Sequence, residues 1–446
     1  MKITLKNLKN KGGFFGLNIV VLIFWFALIA PAYSHKSVAP QVFDYYSYMY
    51  VGYLLFITLP AVVYAFISLL TGERINRNLF FLLIAVLVAG EMIVRYRTTS
   101  LDPLRYGGMR ESRPYTVFGG ARNAKVDVEI PLSLDANGRV TFKKVKIVLN
   151  KLGFRGELPG KKKKGEFRII VLGGSTVFLG TSVRKSIPGQ IEKLIHEKGL
   201  SHVKVYNWGV ASVVSGQELS TLIHTAVDYQ PDLVIAYDGL NDIFSKYADY
   251  DPRPGYPTNF IPYEVGLRLI AGRWTLEEMT LAVFRKSHIV RKIFFVHLGG
   301  MHTHKIKLRK EAGYRTQRWE EEIARKYVGN QTKMCRIGSG FGFKFASFLQ
   351  PMIQQKKNLT KNERPFRYGK KYSEYILRIY EKSRAGFRLA QKSLEKTKCI
   401  FADISDVYKN DKRDVYYDMG HTFDYAKPAV AKVIVSHVMK MIPRSN

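Results

Sequence analysis

The chain reads as an α/β protein, a parallel sheet layered with helices, preceded by a membrane unit. Three observations predict it. From Phe167 onward, short β-branched runs alternate with amphipathic helical stretches. Those runs end in loops rich in Gly, Asn, Ser and Asp, at the strand ends where parallel sheets gather functional groups. The first hundred residues hold three long apolar runs.

The apolar runs cover about 14–33, 47–70 and 78–95. Each is close to the roughly 20 residues that a transmembrane helix needs. Pro60, inside the second, is tolerated in a membrane helix and kinks it. Lys2, Lys6, Lys9 and Lys11 precede the first run. Lys36 against Asp44 follows it, and Arg74 and Arg77 against Glu73 follow the second. The positive-inside rule then sets the N-terminus in the cytoplasm and sends the third helix outward. Arg95 and Arg97 at that exit oppose this mildly. The expectation is a multi-pass cell-membrane protein whose large C-terminal part lies outside the cytoplasm. Ala30-Pro31-Ala32 after an apolar stretch also fits a signal-peptide cleavage site, with the same final topology. Glu91, four residues before Arg95, reads as half of an ion pair near the interface.

With 446 residues, 70 Lys+Arg and 36 Asp+Glu, the chain carries a net charge of +34. Residues 1–98 hold nine Lys/Arg and three Asp/Glu, so +28 falls on the remainder. So basic a chain invites a nucleic-acid reading. No zinc-finger, RNP or helix-turn-helix pattern supports it, and the expected topology opposes it. The basic surface fits anionic polysaccharide or lipid headgroups equally well. Lys161 to Lys164 reads as a solvated loop. The two cysteines, Cys335 and Cys399, lack metal-site spacing, and the sequence leaves open whether they pair.

Beyond the membrane unit (1–98), residues 99–166 alternate over short stretches and read as a strand-rich annex. The main α/β domain spans 167–446. "FRIIVLGG" is its first strand, and an amphipathic helix starts at Pro188. "VKVYNWGV" is the second strand. A helix then presents Leu219, Leu222, Ile223 and Ala226 on one face, and "DLVIAYDG" is the third strand. An interruption over about 245–371 is too long for a loop and reads as a helical cap inserted over the sheet edge. Thr275 to Glu278 looks like a capping box opening a helix to His297. A helix, the strand "KCIFADIS" and a final helix complete the domain.

Four loops supply the chemistry: Ser175 in "GGST", Gly209 in "NWGVAS", Asn241 in "GLND", and Asp418 and His421 in "DMGH". Alone, each is an ordinary turn. Jointly they offer a serine whose proton a histidine can take, and a carboxylate to orient that histidine. The Ser175 and Gly209 N–H groups and the Asn241 amide are candidate oxyanion donors. The nucleotide-loop patterns fail: no Lys-Ser/Thr follows the glycines, and Gly173, Gly174 and Gly180 do not make GxGxxG. No cofactor or metal is indicated. His302 and His304 lack a nearby carboxylate cluster and read as surface residues.

This order of blocks resembles the SGNH, or GDSL-type, hydrolase family, over roughly residues 167–245 and 372–442. "FLQP", Phe348 to Pro351, also looks like a strand-end block of some members. The resemblance implies a flavodoxin-like three-layer α/β/α fold. It makes Ser175 the nucleophile, His421 the base, Asp418 its partner, and Ser175, Gly209 and Asn241 the oxyanion hole. Family members mostly cleave esters, often acetyl esters on sugars. Two departures stand out. Gly174 replaces the usual Asp before the serine. Tyr425-Ala426-Lys427-Pro428 follows the histidine in place of a small residue. The expected function is a membrane-anchored esterase or deacylase acting on acyl esters of cell-envelope glycans or lipids. Its partners are then the bilayer and the acylated substrate. An O-acyltransferase using the same triad stays open, with an acyl-donor membrane protein as a further partner. A glycan-binding protein without catalysis would predict a damaged triad.

Overall fold

The computed structural model describes residues 109–444, apart from 136, 249–250, 259, 262, 265–266 and 268–299. Before residue 109 it describes 23, 41–42, 45–46, 62–64, 66–67, 85–86 and 89–90. Two compact units result: Met1–Arg105 with Ile261–Lys307, and Tyr106–Phe260 with Leu308–Asn446. In the first, Gln41–Val42 and Tyr45–Tyr46 pair as a two-stranded antiparallel ladder. Among the described residues, no helix is long and apolar enough to cross a membrane. The three apolar runs lie almost wholly outside those residues, as do Glu91, Arg95 and the helix expected over 275–297.

In the second unit, two antiparallel hairpins form the annex: β1 (Arg110–Arg113) with β2 (Val117–Gly120), and β3 (Lys125–Leu134) with β4 (Val140–Val148). Asp135 Oδ1 closes the second turn by accepting from the N–H groups of Asn137 and Arg139, both at 2.8 Å. Apolar packing and side-chain hydrogen bonds, among them one from a buried arginine, fasten the annex to the rest of this unit. Met109, Ile130, Ile147 and Leu149 share a core with Phe178, and Arg155 donates to the Phe178 carbonyl at 3.0 Å.

The main sheet has five parallel strands in the order β9-β8-β7-β5-β6. These are β5 (Phe167–Gly173), β6 (Val203–Gly209), β7 (Leu233–Asp238), β8 (Lys344–Leu349) and β9 (Cys399–Asp403). β5 and β7 are buried at every residue, as strands covered on both faces must be. Between β5 and β6 lie the one-turn helix α1 (Ser175–Phe178) and α2 (Ile187–His196). α2 starts at the Ser186 N-cap, which accepts from Gly189 N–H, with Pro188 in its first turn. Ile187, Ile191 and Ile195 of α2 meet Ile169, Val171 and Ile235 of the sheet, together with Val430 and Ile434 of α8 (Lys427–Val438). α3 (Ser215–His224), α6 (Gln317–Phe341) and α7 (Lys370–Ser393) pack together in a second group. Between them in sequence lie α4 (Leu240–Tyr247) and α5 (Gly300–Ala312).

One sequence reading is corrected here. The insertion expected over 245–371 contains β8, which pairs with β7 on one side and β9 on the other. α6, also placed in that insertion, packs against α3, α7 and β8. A long, polar-faced helix directly before a six-residue strand hid the return of the sheet. Cys335 of α6 and Cys399 of β9 form a disulfide, with Cα atoms 5.9 Å apart.

Candidate active site

The carboxyl end of β5 turns sharply at Gly173, whose φ is +156°. A Cβ there would lie 2.3 Å from Val177 and 2.5 Å from the Tyr237 carbonyl, so only glycine fits. The turn starts α1 at Ser175, which is 6 % exposed. Thr176 donates to Gln350 Oε1 at 3.1 Å, joining the "GGST" loop to the "FLQP" loop after β8.

The structure brings Ser175, His421 and Asp418 together across 246 residues of sequence. His421 Nε2 lies 2.6 Å from Ser175 Oγ, and His421 Nδ1 lies 2.6 Å from Asp418 Oδ2. Asp418 Oδ1 accepts from the N–H groups of Gly420 at 2.9 Å and His421 at 2.7 Å. Burial pushes the Asp418 carboxyl up. The His421 charge, its hydrogen bond and the two backbone donors outweigh that, and the net pKa lies below the usual carboxylate range. The Tyr417 ring stacks parallel to His421 at 5.8 Å.

Asn241 stands at the start of α4, beside the turn that carries Ser175. Its amide nitrogen lies 2.5 Å from where a Cβ on Gly174 would be, so the glycine leaves it room. The amide donates to the Val213 carbonyl at 2.7 Å. Asp242, next in sequence, accepts from Ser215 N–H at 2.9 Å and Ser215 Oγ at 2.6 Å, pinning α4 to the start of α3. Burial, with Asp238 nearby, pushes the Asp242 carboxyl up to about 7.

Gly209 corrects the expected oxyanion set. Its N–H donates to Asn207 Oδ1 at 3.0 Å, within the same sequence block. A Cβ on Gly209 would lie 2.6 Å from Phe178 N and 2.8 Å from Val177, so the residue packs behind α1. Farther along that loop, Ser212 adopts φ +66°. Its hydroxyl accepts from Arg110 at 2.8 Å and its carbonyl from Thr258 at 2.9 Å. The left-handed turn is thus held from two sides, next to the Val213 carbonyl that Asn241 contacts.

The departure after His421 has a packing role. Lys427, 4 % exposed, donates to the Leu179 carbonyl at 2.9 Å and to Asp424 at 2.6 Å. Asp424 also accepts from Thr181 N–H at 2.9 Å and Thr181 Oγ1 at 2.5 Å. The segment clamps the histidine loop to the chain leaving α1. Sequence reasoning missed this clamp, although an acid three residues before a lysine at a helix start is a legible signal. His304 lies 3.5 Å from Glu264, and no group of three or more metal-ligating side chains occurs among the described residues.

No protein-family model matches the chain, and no characterised protein sequence does. Solved structures do. An acetyl xylan esterase, AlAXEase, shares 12 % identity at a TM-score of 0.37, over 61 % of this chain and 100 % of its own. A GDSL-like lipase from Bacteroides thetaiotaomicron shares 10 % at 0.32, over 64 % and 93 %. A lipase/acylhydrolase from Enterococcus faecalis shares 14 % at 0.33, over 63 % and 99 %. At such identities and scores, the functional reading rests on the geometry of this chain's own site.

Proposed function

We propose that the chain is an SGNH-type serine hydrolase that cleaves acyl esters of cell-envelope glycans or lipids. The observation that carries this reading is the hydrogen-bonded series Ser175–His421–Asp418 at the carboxyl end of a parallel sheet. In the proposed reaction, Ser175 Oγ attacks the acyl carbonyl while His421 Nε2 takes its proton. Asp418 holds the ring with Nδ1–H pointed at itself and stabilises the cation that forms. The Ser175 N–H and the Asn241 amide receive the oxyanion. In place of Gly209, the held turn at Ser212 is assigned the remaining donor. Collapse breaks the ester C–O bond, and His421 gives its proton to the departing alcohol. Water then attacks the acyl-enzyme, His421 takes its proton, and Ser175 is released with the carboxylic acid.

We place this site outside the cytoplasm, on a membrane-anchored chain. The positive charges before the first apolar run support that placement, and so does the Cys335–Cys399 disulfide, a bond that persists in oxidising compartments. The test is a fluorophosphonate, which phosphonylates activated serines. The reading predicts one adduct, on the Ser175 peptide, absent in His421→Ala. An adduct elsewhere, or none, contradicts it.

A further inference from the structure

We infer that the surface around Tyr368 is a binding subsite for a carboxylate-bearing polysaccharide. The inference rests on the hydrolase reading above and names the substrate class of that site.

The loop from β8 to α7 leaves the sheet beside the nucleophile, where Gln350 accepts from Thr176. It ends at Tyr368, which is 55 % exposed and has φ +56°. Glycine meets such a conformation at no steric cost, whereas tyrosine adopts it only where its surroundings impose it. They do so here. The Arg367 carbonyl accepts from Gln354 Nε2 at 3.2 Å and Ser373 Oγ at 3.0 Å, and Arg367 donates back to the Gln354 carbonyl at 3.1 Å. The pinned turn holds a large aromatic ring in solvent.

That ring belongs to the rim of the site. It stands edge-on to Tyr372, centroids 5.1 Å apart. The Tyr372 hydroxyl lies 3.5 Å from the sulfur of Met419, the residue after Asp418. A single side chain therefore separates Tyr368 from the loop carrying the base. On the other flank Tyr247 meets Tyr372 at 4.7 Å, and the exposed Arg315 lies 4.4 Å over the Tyr247 ring.

The charge around these rings is unbalanced. Arg315, Arg364, Lys370 and Lys371 are exposed. Glu363 is fully buried in another ion pair, and the exposed Glu374 approaches Lys370 only at 3.9 Å. Aromatic faces take the C–H face of a pyranose ring, and exposed cations in excess of the nearby carboxylates take its acid groups. A neutral glycan leaves the cations unused. A featureless polyanion leaves the rings unused.

The test uses the full chain in detergent, made inert by Ser175→Ala, with polygalacturonate as the probe. Dextran is the neutral control and polyglutamate the ring-free polyanion. Polygalacturonate should bind at least tenfold tighter than either control. Tyr368→Ala should weaken it about tenfold, and Tyr368→Phe should preserve it. Lys370→Glu with Lys371→Glu should abolish it. With Ser175 intact, none of these variants should alter hydrolysis of p-nitrophenyl acetate, too small to reach the rim. Equal binding of polyglutamate, or binding indifferent to Tyr368→Ala, overturns the subsite. Tyr368-dependent binding without ester hydrolysis in the Ser175 chain keeps the subsite and overturns the hydrolase reading instead.

Discussion

Glu363 and Lys356 form an ion pair in which neither side chain is accessible to solvent. Lys356 also donates to the Arg413 carbonyl. Glu363 Oε1 accepts from the N–H groups of Val415 at 2.8 Å and Tyr416 at 3.1 Å. The pair therefore fastens the strand of chain leading into Asp418 and His421. Glu363→Ala leaves a lysine buried without its counter-charge and two backbone donors without an acceptor. Removing one member of a buried pair costs about 3–5 kcal/mol. The expected result is a large fall in melting temperature and, in what stays folded, a lower kcat at little-changed KM. Thermal melts with steady-state kinetics check it, and an unchanged melting temperature contradicts it.

Asn241 and Gly209 should separate cleanly by mutation. Asn241→Ala removes the amide proposed to receive the oxyanion, and kcat should fall about 10²–10³-fold with the fold intact. Gly209→Ala forces a Cβ to within 2.6 Å of Phe178 N, so it should lower stability while the Ser175 chemistry per folded molecule persists. Active-site titration beside a thermal melt distinguishes the two. A Gly209→Ala chain as stable as the wild type contradicts the packing role of the glycine.

Glu218 of α3 and Asp238 at the end of β7 face one another, 3 % and 4 % exposed. Burial pushes Glu218 well above its usual range, and the Asp238 charge adds to that; burial also raises Asp238. Gln331 donates to Asp238 at 2.9 Å, and the two carboxyls bond to each other only if one holds a proton. The folded state thus keeps protons that the unfolded chain has released. Stability is full below the ordinary carboxylate range and is lost as pH rises through the raised folded values. Melting temperature should fall as pH rises above the ordinary carboxylate range, where the unfolded carboxylates are ionised while the folded pair still holds its proton. Glu218→Gln supplies an N–H without a titrating proton and should flatten that slope. A slope unchanged in Glu218→Gln contradicts the shared proton.

Much of the fold was legible because strands buried on both faces are written as unbroken apolar runs, such as Ile169 to Leu172 and Leu233 to Ala236. β8 was harder to see. "KFASFL" mixes lysine and serine into a short run and follows α6 directly, so only the "FLQP" block at its end hinted at a strand inside the expected insertion. Among site residues, Ser175, Asn241, Asp418 and His421 sit in short blocks whose spacing is informative. Gly209 misled because its block also contains Asn207, whose side chain takes the glycine's N–H across two residues. Lys356, Glu363 and Tyr368 left no trace: the backbone groups that the buried pair holds lie more than fifty residues away, and Tyr368 depends on a backbone angle that no residue type announces.

The proposed chemistry depends on Ser175 being a nucleophile activated by His421 and Asp418. It is tested by p-nitrophenyl ester hydrolysis with the full chain in detergent, beside Ser175→Ala, His421→Ala and Asp418→Asn. The wild type should be active and the first two variants should show nothing above background. The third should lose about 10⁴-fold, because its amide favours the wrong histidine tautomer. Hydrolysis that survives Ser175→Ala would contradict the assignment.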